Sequence, residues 1–108
     1  MTDAIQVETA IDTQDAADAI ARALVERKLA ACVQVLGPAK STYRWRGAVE
    51  RAEEWICLIK TERRLYADVE AAIRELHSYE TPEIIATEIV AGSADYLAWI
   101  TGSVADDE

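Results

Sequence analysis

An α+β fold with an antiparallel sheet is predicted by two apolar periodicities that alternate along the chain, separated by glycine, proline and polar turns. Period-two stretches mark strands, repeats at i, i+3 and i+4 mark helices, and the order reads β-α-β-β-α-β with one more helix at the C-terminal end.

Ile5, Val7, Thr9 and Ile11 alternate with Gln6, Glu8 and Ala10, giving a first strand. Asp12 and Thr13 then offer capping oxygens, and Asp15 suits the positive end of a helix over 13–28. Its stripe is Ala17, Ile20, Ala21, Leu24 and Val25, with Asp18, Arg22 and Glu26 spaced to pair on the outer side. A second strand over 31–36 is stopped or bent by Gly37-Pro38 and resumes through Tyr43 and Trp45 to a turn at Gly47. The third strand, 53–61, carries Trp55, Cys57 and Ile59 on one face and Ile56 and Leu58 on the other, so both faces are expected to be covered.

After Thr61, Leu65, Val69, Ala72, Ile73 and Leu76 form the stripe of a second helix, with Glu70 and Arg74 one turn apart on its surface. A polar loop over 77–82 leads to a last strand, 84–90. Gly92 breaks that strand, and Ser93 can cap a helix running to Gly102. From about residue 104 the acidic tail is expected to be disordered.

Two β-α-β halves joined by a long hairpin make the ferredoxin-like, split βαβ arrangement, with helices on one face of the sheet. Trp55, Cys57, Ile59 and the Tyr43/Trp45 pair imply that the second face, or the hairpin beyond it, meets another subunit.

The 108 residues suit one domain spanning 1–108. A net charge of −9 repels phosphate backbones and argues against a nucleic-acid partner. No basic start with an apolar core opens the sequence, and no apolar run approaches the ~20 residues a membrane span needs. With only Cys32 and Cys57, a disulfide framework is not expected, and a reducing, cytoplasmic location is.

Catalysis finds no pattern to rest on. The chain has a single histidine, His77, no nucleophile elbow, no phosphate loop, and acidic rather than basic residues after the first strand. Soft-metal chemistry has two candidates. Cys32 reads either as a small apolar strand residue or as a thiolate ligand, and His77 either as the closing residue of the second helix or as an imidazole ligand.

Five segments in order carry a resemblance: Leu29-Ala30-Ala31-Cys32-Val33; Ser41-Thr42-Tyr43-Arg44-Trp45-Arg46-Gly47 with Glu50; Ile59-Lys60-Thr61; His77-Ser78-Tyr79-Glu80-Thr81-Pro82-Glu83-Ile84-Ile85; and Gly92 with Tyr96-Leu97-Ala98-Trp99-Ile100. Over about residues 5–103 the sequence resembles the CutA family of divalent-cation tolerance proteins. The resemblance implies a tight homotrimer in which hairpins pair with neighbouring sheets. It also implies a likeness to PII signal proteins, and a role in tolerance to copper and other divalent ions without an established reaction or an obligatory cofactor. By the same resemblance Cys32, Trp45, Lys60, Tyr79 and Glu80 line or flank clefts between subunits, and His77 opens the H-x-Y-E motif, so His77 and Cys32 are the metal candidates. The chain departs from the pattern at Ser78, where the motif usually has Pro, and at Glu8 and Leu76, where copper-binding members can carry Cys and His. The alternative is a PII-like module that binds a small anion or a protein partner at the clefts, with Lys60 supplying the charge.

Overall fold

The computed structural model describes residues 2–106 and contains β1 (Ala4–Ile11), α1 (Gln14–Glu26), β2 (Cys32–Trp45), β3 (Ala48–Glu62), α2 (Tyr66–Leu76), β4 (Ile85–Glu88) and α3 (Ala94–Ser103). A single 3₁₀ turn, Arg63–Leu65, leads into α2. The four strands form one sheet in the order β2-β3-β1-β4, with every neighbouring pair antiparallel. This is the split βαβ arrangement expected from the element order.

Both long helices lie on one face because their stripes match the alternation of the central strands. Ala17, Ile20 and Leu24 of α1 and Val69, Ala72 and Ile73 of α2 are buried. They pack against Val7, Ile11, Cys57 and Ile59 in a single core. Thr13 caps α1, its hydroxyl oxygen accepting the Ala16 N–H at 3.1 Å. The helix closes with Lys28 in the left-handed region (φ 58°), where the Lys28 N–H reaches Val25 O and the Leu29 N–H reaches Leu24 O. Ser93 occupies the cap position of α3 but makes no capping bond through its side chain, while the Asp95 carboxylate accepts the Tyr96 N–H.

Gly37-Pro38 bends the second strand without ending it. β2 runs for 14 residues, and its ladder with β3 slips between Leu36 and Ala39. Gly37 is required there, because a Cβ would stand 2.5 Å from Trp55 Cδ1. The two-residue turn Arg46-Gly47 has positive φ at both positions (50° and 81°), the twist that tight hairpins favour. β3 begins at Ala48, earlier than the sequence pattern indicates, since the distal hairpin faces solvent and carries no apolar alternation. This arm gives the molecule extents of 47 × 26 × 21 Å.

The register also corrects which apolar residues lie on the uncovered face. Val7 pairs with Ile59 and Thr9 with Cys57, so Cys57 and Ile59 belong to the helix-covered side together with Trp55. Leu36, Ile56 and Leu58 lie on the opposite face, where Leu36 is 50% exposed.

At the far end of the chain, Ile100 and Val104 join the core. Glu62 accepts from Arg64 Nε (3.2 Å) and from the Thr101 hydroxyl (2.8 Å), and Arg64 Nη2 donates to Val104 O (3.0 Å). Val104 is therefore fixed, whereas the tail was expected to loosen there; residues 107 and 108 of that tail lie outside the described residues.

Candidate functional site

The site is organised by the segment that follows α2. His77 ends this helix, its N–H donating to Ile73 O at 2.8 Å, and its ring then ties the segment to β1. Nε2 lies 2.8 Å from Ala10 O, and Nδ1 accepts the Tyr79 N–H at 3.1 Å. A carbonyl oxygen only accepts and an amide N–H only donates, so the arrangement selects the neutral Nε2–H tautomer and leaves neither ring nitrogen free. The Tyr79 ring packs edgewise on the imidazole at 4.7 Å, and its hydroxyl donates to Glu54 Oε2 at 2.8 Å. Burial first, and then the bonded Glu54 carboxylate, keep that phenol protonated well above its usual range.

Between this segment and the hairpin arm opens a cleft of about 760 Å³, with Ala10 and Glu54 along it and Ser41, Tyr43 and Trp45 facing Tyr79, Glu80 and Glu83. Alternation along the arm places Ser41, Tyr43, Trp45 and Glu54 on one face, and Lys40, Arg44 and Arg51 on the other. Three carboxylates mark different depths of the cleft. Glu54 is only 8% exposed. Glu83 is pushed up to about 7, by burial first and then by a hydrogen bond shared with Glu8 and by the charges of Glu8 and Glu54. Glu80, at the rim, meets Arg46 Nη2 at 3.5 Å, and the same guanidinium lies 5.4 Å from the centre of the Trp45 ring.

Of the residues singled out in the sequence, Trp45, Tyr79 and Glu80 meet in this cleft. Lys60 does not. It lies on the uncovered sheet face, where its Nζ donates to Gln34 Oε1 at 2.7 Å. Cys32 stands opposite Lys60 in the ladder, while Ala10, the partner of the His77 ring, stands opposite Ile56. Four strand positions at ~3.3 Å each and two interstrand spacings of ~4.8 Å separate these points by roughly 16 Å. Within one chain His77 and Cys32 therefore do not fit a shared metal ion, and among the described residues no three His, Cys, Asp or Glu side chains converge on one. Cys57 is buried, with Sγ 3.8 Å from Ala17 O, and its thiol is pushed up to about 11 by burial and by Asp18.

Glu54 is not marked by any sequence pattern, and Glu8, Tyr43 and Glu83, each noted in the sequence for another reason, are not marked as members of one cleft. Only the register and the path of the 77–84 segment bring these four together.

Comparison with known proteins agrees with this architecture. The profile of the CutA1 divalent ion tolerance protein family matches residues 5–103. A relative from Thermus thermophilus, described as a divalent-cation tolerance protein CutA, is 38% identical over 83% of this chain and 87% of its own. One from Archaeoglobus fulgidus with the same description is 41% identical over 82% and 85%. The crystal structure of CutA from Xylella fastidiosa superposes with a TM-score of 0.94 at 36% identity, covering 96% of this chain and all of that one. With its split βαβ sheet, its long two-sided hairpin and these matches along nearly its full length, the chain belongs to the CutA1 family of divalent ion tolerance proteins.

Proposed function

We propose that this chain works in divalent-cation tolerance as a homotrimer, by binding and not by catalysis. The observation that carries the assembly is the uncovered sheet face. Leu36, Ile56 and Leu58 lie on the side the helices leave bare, and the face continues into an arm that projects past the core. Among the described residues no helix or strand covers Leu36, Ile56 and Leu58 on that side, and a second copy of the same arm and face is a self-consistent cover.

Binding is favoured over catalysis because neither polar centre offers an activated nucleophile. Cys57 is buried as a high-pKa thiol, and both nitrogens of His77 are committed to backbone groups. The carboxylates of the cleft favour a cation over an anion, and Lys60 lies elsewhere, so the PII-like reading with an anionic ligand has less support.

Light scattering at micromolar concentration tests the assembly. The expected mass is three times the 11.9 kDa of one chain, and the mass of a single chain would refute it. Titration of Cu and of Mg into wild type and His77→Ala at high salt tests the metal route. Equal Cu affinity in the two proteins is expected, and a large loss in His77→Ala would restore the motif histidine as a ligand.

A further inference from the structure

We propose that covering the bare sheet face with a neighbouring copy traps one proton per chain between Glu8 and Glu83, so that assembly is proton-linked and loosens as the solution turns basic. The inference rests on the homotrimer reading and adds to it a regulation which that reading does not contain.

The register places Glu8 for this role. It stands on β1, inside the sheet, directly opposite Leu58 on one side and Ile85 on the other. These partners put its carboxyl on the face that carries Leu36, Ile56 and Leu58. A copy that covers this apolar patch therefore withdraws Glu8 from water as well, and a carboxylate loses far more by that than a carboxylic acid does.

The cations of the neighbourhood are engaged elsewhere. Lys60 lies two positions along β3 from Leu58, but its Nζ donates to Gln34 Oε1 at 2.7 Å. Arg46 meets Glu80, and alternation turns Arg44 to the other face of the arm. The His77 ring is held neutral between Ala10 O and the Tyr79 N–H. β4 brings Ile85 and Thr87 alongside, neither of them charged. Glu54 on β3 and Asp12 past the end of β1 add only negative charge.

What meets Glu8 instead is a second carboxyl. Glu83, carried over β1 by the 77–84 segment, shares a hydrogen bond with it. Two carboxylates cannot form such a bond, because each only accepts, so one of the pair must carry a proton. Glu54 does not compete for that proton, since the Tyr79 hydroxyl already donates to it. In the single chain the pair keeps its proton up to about 7, although Glu83 still reaches solvent. Covering the pair removes that solvent and leaves the repulsion from Glu54 in place, and both effects favour the protonated form. A proton held more tightly in the assembly than in the free chain makes association strongest below about 7, and the advantage is lost as pH rises beyond that value.

Subunit exchange measures this. The protein and its ¹⁵N-labelled form are mixed in ~0.3 M salt, which screens the general repulsion between −9 chains, and mixed trimers are followed by native mass spectrometry from pH 6 to 9. Between pH 7 and 9 the wild-type exchange rate is expected to rise about tenfold or more. Glu83→Gln and Glu8→Gln each put an amide where the shared proton was, so their rates should stay within about twofold over the same interval. The two variants lie on different segments, which keeps the test decisive if one of them fails to fold. Wild-type exchange that does not change with pH, or a rise that persists in both glutamine variants, would overturn the proposal. So would exchange that quickens toward acid, the result expected if an arginine of the neighbouring copy answered the carboxylates. Light scattering on the same samples keeps the readings apart. The mass of a single chain at every pH refutes the assembly and this inference with it, whereas a trimer with pH-independent exchange refutes this inference alone.

Discussion

Replacing Glu83 by glutamine should change how stability depends on pH. The Glu83 carboxyl is raised from 4.5 to about 7 in the folded chain, first by burial and then by its hydrogen bond with Glu8 and the charges of Glu8 on β1 and Glu54 on β3. A carboxyl whose folded pKa exceeds its unfolded value holds its proton longer in the native state. Folding is therefore favoured most below about 4.5, and that advantage is lost as pH rises through about 7. The interval would be worth about 3 kcal/mol for a sealed group. Much of Glu83 remains in solvent, and screening reduces the expected loss to about 1 kcal/mol. In Glu83→Gln the amide donates to Glu8 at every pH, so the variant should match wild type near pH 5 and exceed it by about 1 kcal/mol near pH 8. Urea unfolding of both proteins at fixed concentration, from pH 5 to 8, measures this as the difference between them. Glu70 and Asp95 are lowered by hydrogen bonds, to Tyr66 and Arg74 for Glu70 and to Ser93 and the backbone for Asp95, so they titrate below the window. Parallel profiles for the two proteins, or a wild-type advantage that grows with pH, would refute the shared proton.

Thr9 Oγ1 is buried with no hydrogen-bond partner, so Thr9→Val should raise stability by about 1 kcal/mol in urea unfolding; a loss would mean the hydroxyl is satisfied after all. Gly37→Ala should cost about 1–3 kcal/mol, because the added methyl meets Trp55 Cδ1 at 2.5 Å and Glu54 O at 3.0 Å; an unchanged urea midpoint would show that Trp55 can yield. His77→Ala removes the bonds to Ala10 O and from the Tyr79 N–H and should cost about 2 kcal/mol, with faster amide exchange at Tyr79; unchanged exchange there would show that the ring does not hold the segment.

The elements with a buried side were legible in the sequence because burial writes itself into apolar spacing. Ile5, Val7 and Ile11 were expected to face the core, as were Ala17, Ile20 and Leu24, and the structure buries all of them. Val25, expected on the same stripe as Leu24, is 43% exposed, since it lies at the margin of the helix face. The distal arm was not legible as one hairpin. Residues 48–53 have no buried face, and their strand character comes from pairing with β2, which no local pattern records. β4 was expected over 84–90 but holds its ladder only over Ile85–Glu88, where β1 supplies partners. The cleft was half legible. Trp45, Tyr79, Glu80 and Glu83 stand in motifs, whereas Glu54 matters only through register, Glu83 meets Glu8 only where the loop crosses the sheet, and Lys60 belongs to another part of the same face. Chemistry that depends on two distant segments meeting is visible only after the fold is known.

β2 is also an edge of the sheet, and 14 residues of unpaired edge are a long template on which another chain's strand could grow. Three features of β2 restrict that growth. Pro38 has no N–H to offer, the ladder slips between Leu36 and Ala39, and Lys40 and Arg44 place like charges along the distal half. An incoming strand must fit on one side of the slip or the other, because a straight strand cannot follow both. Indiscriminate stacking of subunits into fibres is hindered by this geometry, while addition of one strand in a fixed register is not. The bend at residues 37–38 thus limits which partner the edge can accept.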